Sequence, residues 1–423
     1  MGNDFVSEEE LETRSVSQLA SQIMHECSTM EIQCERDSIS PPSMLAGTST
    51  AFWSEVAPTL AASREKALGL LEKLTMLLQG PHRFLHGFVA HNWDHGALYA
   101  FLQSPALEHI VSSGGSASIS SLSTVSGIPD DKMARILALL RCRNIVHESE
   151  KNIFTLTAVS EELVKDEDFR AWVEFQLFET RVASAHLAQA LTNKPNDHIT
   201  GTSGFKQGWG FEMYDWHSGH SEKGDRFPRA KKGVSKSLDP ADSLFRKNIQ
   251  RDPPSGFTSV VEAGGRYSFA SIPLAEERPD LSFEIRCDSQ DFLRRGEALV
   301  GPSSKDRIAF TTVASLSDPP PTGDSTSVFV YVIRNVFWNW TDGDAVKLLH
   351  ALLSTLKAAP STRILVTDSV SPVPKQFPPH VEIAYRRRDI TTMAMHNVKQ
   401  RTQVEWLEMF SRVDPGLSVS LSA

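Results

Sequence analysis

The sequence predicts an α/β chain: a doubly wound, mostly parallel sheet in the C-terminal half, preceded by a helical region that contains a winged-helix module. The first observation is an apolar run, Val260-Val261-Glu262, followed by Ala263-Gly264-Gly265 and then by Ile272, Leu274 and Ala275 at helical spacing. A strand, a glycine turn and a helix in that order open a nucleotide-binding βα unit. The second is the alternation that follows, with strand runs at Ser259 to Glu262, Ser282 to Arg286, Ile308 to Val313, Ser327 to Ile333 and Arg363 to Asp368. Helical patterns at Phe269 to Glu277, Asp288 to Leu293 and Asp344 to Leu356 separate them, which is the rhythm of a parallel sheet. The third is a helix, helix, helix, ribbon order between Leu98 and Val164.

In chain order, residues 1–50 are rich in Ser, Glu and Thr and predict a weakly ordered arm. Leu60, Leu68, Leu71 and Leu74 recur at helical spacing between Phe52 and Leu78 and predict an amphipathic helix packed into a core. The winged-helix pattern consists of helices at Leu98 to Val111, Ile119 to Gly127 and Asp130 to Arg141, with a ribbon of Ile145 to His147 and Ile153 to Leu156. Its third helix opens Asp130-Asp131-Lys132 and is charge-balanced, so phosphate attraction is weak. With 43 basic against 52 acidic residues the chain carries a net charge of -9, which also argues against a nucleic-acid partner. The one basic run, Arg386-Arg387-Arg388, reads as a solvated surface loop. Cys27, Cys34, Cys142 and Cys287 lack metal or redox spacing, and no apolar run is long enough to span a membrane. A cytoplasmic protein without a membrane partner is expected.

A helix from Asp168 to Leu191 links the halves and places Glu179 and His186, seven residues apart, on one face. The segment Thr202 to Leu238 follows, with Trp209, Phe211, Tyr214 and Trp216 beside His217 and His220. No third ligand lies near the two histidines, so no metal is expected. Arg226, Arg229, Lys231 and Lys232 suit either a polar substrate mouth or solvation. In a doubly wound sheet the ligand sits beyond the carboxyl ends of the strands, here at Glu262, Asp288, Arg334 and Asp368. The expected domains are an arm (1–50), a helical and winged-helix domain (51–195), a covering segment (196–258) and the sheet domain (259–423).

Several motifs carry a family resemblance. Glu262 to Ser268, Leu274-Ala275, Asp306-Arg307-Ile308, Arg334 to Asp342, and Asp389 to Met395 with His396-Asn397 and Gln400-Arg401-Thr402 stand in order along the chain. From about residue 85 to 415 the chain resembles the plant- and fungal-type, class I S-adenosylmethionine-dependent O-methyltransferases. The resemblance implies a Rossmann-like methyltransferase domain with an N-terminal module that dimerises, ending in Phe154 to Ser160. It also implies a substrate chamber lined by Phe178, Trp209, Trp216, Trp338, Met393 and Met395, and cofactor contacts at Glu262, Gly264, Gly265 and Asp288.

The chain departs from that pattern where the chemistry is done. Trp338 occupies the position of the family's histidine base, and an indole has no basic lone pair. Asn339, Asp368 and Gln400 replace its acidic partners, Cys287 the ribose-binding acid, and Arg266 and Ser268 two positions of the glycine turn. S-adenosylmethionine is then either kept as a bound positive charge or lost, and the Arg266 cation points towards loss. A subset of fungal O-methyltransferase-like proteins performs dehydration or pericyclic ring closure on polyketide-derived substrates, and the chain resembles it. That resemblance implies Arg334 as carbonyl activator, Asn335 as second donor, and His220, His186 or Glu179 as proton carriers. Arg334 could instead pair with Asp368 or Glu262. The alternatives are an O-methyltransferase acting on a phenolic or polyketide hydroxyl, and an inactive homodimeric scaffold.

Overall fold

The computed structural model describes residues 14–40, 42–47, 58–193, 202–238, 243–250, 256–264, 270–316, 318, 328–358 and 362–420. Gly265, Arg266 and Ser268 lie outside them. The chain divides into two compact units, residues 1–178 with 372–387 and residues 179–371 with 388–423. The division falls inside the helical domain expected from the sequence, and the covering segment belongs to the same unit as the sheet.

The first unit starts with a helix where an arm is expected. Helix α1 (Val16–Asp37) opens on a capping box in which the Ser15 hydroxyl accepts from Gln18 N–H and the Gln18 side chain accepts from Ser15 N–H. Its apolar positions are sparse but effective: Leu19 packs on Leu70 and Cys34 on Leu60, and Lys66 reaches Glu26 at 2.7 Å. Helix α2 (Pro58–Leu102) kinks at Gly80, whose φ of 67° and ψ of 168° precede Pro81; a residue before proline is barred from helical geometry. The predicted helix from Leu98 to Val111 is likewise cut in front of Pro105, where Ser104 Oγ donates to the Phe101 carbonyl at 2.8 Å.

Beyond that break come α3 (Ala106–Ser112), β1 (Ser116–Ser118), α4 (Ile119–Ser126), α5 (Asp130–Cys142), β2 (Val146–Glu150), β3 (Ile153–Leu156), α6 (Ala158–Lys165) and α7 (Glu167–Leu177). The strands pair antiparallel in the order β1-β3-β2. Leu107, Ile110, Leu122, Met133, Leu137 and Phe154 fill the core between the helices and this winged sheet.

The second unit begins with α8 (Glu179–Ala185) and α9 (Leu187–Asn193), so the predicted link helix is broken at Phe178 and again at His186. At the second break, His186 N–H is shared between the Val182 and Ala183 carbonyls. Another backbone lies close by: a Cβ on Gly204 would fall 2.3 Å from the Ala183 carbonyl oxygen. That neighbour is α10 (Gly204–Trp209), followed by α11 (Met213–Gly219), α12 (Ser221–Leu238) and α13 (Ser243–Gln250).

The sheet domain then runs β4 (Phe257–Ala263), α14 (Ser271–Glu277), β5 (Ser282–Cys287), α15 (Gln290–Glu297), β6 (Ile308–Thr312), β7 (Val328–Arg334), α16 (Asp342–Ala358), β8 (Arg363–Thr367), α17 (Pro379–His396) and α18 (Gln403–Val413). The five strands are parallel in the order β6-β5-β4-β7-β8. Side chains alternate between two cores, Val260, Ile285 and Val332 on one face, Val261, Tyr331 and Ile333 on the other. The strand order reverses between β4 and β7, which puts the binding crevice at their carboxyl ends. Among the described residues no helix is long and apolar enough to cross a membrane.

Ile285 is fully buried at the centre of β5. Ile285→Ala is expected to cost about 2–5 kcal/mol by leaving a cavity, measured by urea unfolding.

Candidate active site

The site is built on the turn that follows β7. Arg334 is buried at the strand end. Asn335 takes a φ of 52°, a conformation its short amide tolerates, and donates its N–H to the Thr367 carbonyl at 2.8 Å. A single 3-10 turn, Phe337–Asn339, comes next. Buried Arg401 clasps it, donating to the Phe337 carbonyl at 2.9 Å, the Trp340 carbonyl at 2.7 Å and the Asp342 carboxylate at 2.7 Å. Gln400 adds a bond from Nε2 to the Trp338 carbonyl at 3.2 Å. Gln400 thus anchors the backbone here.

Trp338 is held between two helices of the unit. From α12 the Lys231 ammonium lies 3.5 Å from the indole centroid. From α17 the His396 ring meets it edge-on, centroids 5.2 Å apart at 80°. His396 also stacks on Tyr214 at 5.7 Å, and the Tyr214 hydroxyl accepts from Asn339 Nδ2 at 2.7 Å. The row continues from Tyr214 to Phe227 at 6.1 Å and from Phe227 to His217 at 4.9 Å. Trp338 Nε1, His396 Nε2 and Asp368 Oδ2 are buried atoms with no hydrogen-bond partner among the described residues.

Removal from water dominates the proton affinities of this group. Desolvation, helped by the nearby Arg388 cation, lowers Lys231 from 10.5 to about 7, against a smaller pull from Asp368. The face of Trp338 favours the charged form and opposes that shift. His396 is lowered from 6.5 to about 3 by desolvation, then by Lys231 and His217, and is a neutral imidazole. Burial raises Asp368, although Ser369 N–H donates to its Oδ1 at 2.8 Å.

The residues singled out in the sequence fall in several places. Glu179 is fully buried in an ion pair with Arg226, with His217 Nε2 3.8 Å away. His186 does not join it: its Nδ1 donates to the Val182 carbonyl at 2.9 Å and its ring packs against Gly208. His220 is exposed, stacked on Trp216 at 4.2 Å, with Nδ1 donating to the Trp216 carbonyl at 2.8 Å. Trp209 and Trp216 pack together at 4.7 Å. Met395 is buried and Met393 half-buried on α17, while Phe178 stacks on Tyr99 at 5.1 Å.

Lys231, His396, Tyr214 and Arg388 stand in segments that the sequence marks, Lys231 within the basic set suited to a substrate mouth, but the sequence gives none of them a catalytic part. Arg386 to Arg388 form no solvated loop but part of α17: Arg386 pairs with Glu382 at 2.6 Å, and Arg388 acts on Lys231 and Asp368. The available signals were the basic set on α12 and the His396-Asn397 pair of the resemblance.

Comparison with known proteins bears on this geometry. Residues 185–414 match the O-methyltransferase domain family. O-methyltransferase phnC of Penicillium herquei is 38% identical over 397 residues, covering 91% of each chain. The chain belongs to the O-methyltransferase family. Solved structures of the same fold include LepI in complex with SAM, with a TM-score of 0.68 at 15% identity over 93% of each chain. Another, described as a pericyclic reaction enzyme, also has a TM-score of 0.68, at 16% identity over 92% of this chain and 94% of that one.

The family's cofactor can be tested against the strand ends. Glu262 ends β4 with Oε2 accepting from Ser271 N–H at 3.0 Å and Ser271 Oγ at 2.5 Å. Gly264 takes a φ of 88° where a Cβ would lie 2.4 Å from Val336. Asp288 is exposed just past β5 and accepts from Cys287 Sγ at 3.5 Å. Gly264 at the end of β4 and the exposed Asp288 just past the adjacent β5 suit S-adenosylmethionine, Asp288 its ribose hydroxyls, while the rest of the turn lies outside the described residues. Among the described residues no group of His, Cys, Asp and Glu could hold a metal ion.

The shifts fix how stability depends on pH. Folded Lys231 binds fewer protons than unfolded chain between about 7 and 10.5, so it makes stability rise with pH across that window. His396 contributes stability above 6.5 that is lost as pH falls towards 3. Lys231→Met is expected to abolish the first dependence and raise Tm at pH 7 by about 2–4 °C, read by thermal unfolding at pH 6, 7 and 9.

Proposed function

We propose that the protein is an S-adenosylmethionine-dependent O-methyltransferase acting on a phenolic hydroxyl of a polyketide-type aromatic, with Lys231 as the proton acceptor. The observation that carries this reading is an amine lowered to about 7 and held 3.5 Å over the ring of Trp338. Trp338 stands where the resemblance places a base, and Lys231 brings one over that position from another helix. A base whose pKa lies near the working pH is well matched to take a phenol's proton. The name of the relative phnC, an O-methyltransferase, supports the same reading.

Each residue then has a task. Glu262, Gly264 and Asp288 would hold S-adenosylmethionine, which would supply an electrophilic methyl group. The acceptor hydroxyl passes its proton to Lys231 Nζ. His396 Nε2 and Trp338 Nε1, both unpaired among the described residues, orient the acceptor's oxygens. Asp368 and Arg388 set the charge around Lys231, and the aromatic walls exclude water.

A second reading rests on Arg334 and Asn335. A buried guanidinium beside an amide held at a φ of 52° could polarise a carbonyl without any base. In that reading the protein is a pericyclase or cyclase of polyketide metabolism that performs dehydration or ring closure. The likeness to a pericyclic reaction enzyme along 92% of the chain suits it.

Methyl-labelled S-adenosylmethionine and a panel of hydroxylated naphthalenes separate the two. Label should enter the hydroxyl at a rate that rises with pH through about 7. Both Lys231→Met and Lys231→Arg should lower kcat by about 10²–10⁴-fold. No incorporation by an enzyme that still closes rings, with Arg334→Ala changing the product ratio, would establish the second reading instead.

We also infer a homodimer. After the kink in α2, Leu85, Phe88, Val89 and Trp93 form an exposed apolar stripe at helical spacing, and a second copy of the chain would cover it. Trp93→Glu should then shift the protein to monomer in light scattering. Among the described residues Cys27, Cys34, Cys142 and Cys287 form no disulfide, which suits a reducing cytoplasm.

A further inference from the structure

His217 is a second imidazole in the aromatic row beside Trp338, buried where His396 is half-buried, and the proton transfer at Lys231 does not use it. It is 6% exposed, and neither ring nitrogen has a hydrogen-bond partner among the described residues. Phe205, Trp216 and Phe227 surround the ring. Two polar atoms left unpaired in such a setting are costly unless a ligand satisfies them.

The surroundings favour one orientation. His217 Nε2 faces the Glu179 carboxylate at 3.8 Å, and Glu179 is itself paired with Arg226. A carboxylate on that side favours the Nε2–H tautomer and leaves Nδ1 as a lone-pair acceptor. His217 and His396 stand near opposite ends of the row Trp338, His396, Tyr214, Phe227, His217, in which successive ring centroids are 5.2, 5.7, 6.1 and 4.9 Å apart. A flat acceptor bound along that row would bring a second polar group towards His217, away from the group beside Lys231.

We propose that His217 is a specificity-determining residue that reads a second hydroxyl of the acceptor, separate from the hydroxyl beside Lys231 and Trp338. The acceptor is therefore a fused-ring aromatic bearing at least two hydroxyl groups, and methylation or loss of the second one weakens binding. The inference rests on the reading of the chamber as the acceptor site of a methyltransferase. The Glu179–Arg226 pair acts through His217 as a positioning element.

The test is calorimetric titration of the full-length protein with 1-naphthol, 2-naphthol and 1,3-, 1,6- and 2,7-dihydroxynaphthalene. Wild type should bind at least one diol 10-fold or more tightly than either naphthol. His217→Phe should erase that preference, and His217→Gln, which keeps an acceptor and a donor, should restore part of it. The rescue separates recognition from a folding defect. Equal affinity of wild type for all five probes, or a preference that survives in His217→Phe, would overturn the proposal. Lys231→Met should keep the diol preference while losing label transfer. If it keeps both, the base assignment falls and His217 stands.

Discussion

Three hydrogen bonds from one buried guanidinium hold this site in place. Arg401 joins the carbonyls of Phe337 and Trp340 to the carboxylate of Asp342, so the turn between β7 and α16 has one geometry. Charge-assisted bonds to backbone oxygens are among the strongest available to a side chain. Everything in the chamber is referenced to that turn: Lys231 lies over the ring it carries, His396 meets the edge, and Asn339 ties Tyr214 into the same wall. Gln400 works beside Arg401. An amide can donate to the Trp338 carbonyl, which a carboxylate in its place could not do without a proton.

The proton affinities around Trp338 follow from the desolvation of its polar neighbours. An amine, an imidazole and a carboxyl each shift towards their neutral forms, the direction expected when burial outweighs pairing. They do not shift equally. His396 is too weak a base to be charged at neutral pH, whereas Lys231 sits where protonated and neutral forms coexist. Two nitrogens packed against one indole are thereby given different proton affinities by their environments, as the proposed roles of hydrogen-bond partner and proton acceptor require.

The fold was largely legible because its signals are local. Apolar runs around Val260, Ile285 and Val332 and the glycine turn after Glu262 marked the parallel sheet and its working edge. The motifs around Trp338 and Gln400-Arg401 carried the family. Helix breaks were harder, since neither Phe178 nor His186 is a breaker, and the close approach of Gly204 to Ala183 beside the second break is a tertiary contact. The N-terminal helix escaped notice because its stripe of Leu19, Ile23 and Cys34 is thin. At the site, the loss of an imidazole at position 338 was plain, but its replacement was not. Lys231 precedes Trp338 by more than a hundred residues in sequence and resembles its neighbours Arg229 and Lys232 until the fold half-buries it over the indole. Arg388 shows the same limit, since a basic triplet looks solvated until one member proves to face Asp368.

An indole beneath a titrating amine also responds to light. A positive charge near an aromatic ring shifts the energy of its excited state, so the emission of Trp338 should depend on whether Lys231 carries its proton. The chain holds eight tryptophans, and Trp338 is the one whose face meets an amine among the described residues. The protein therefore contains its own spectroscopic reporter of the chamber's charge state, positioned by the same contacts that shape the cavity.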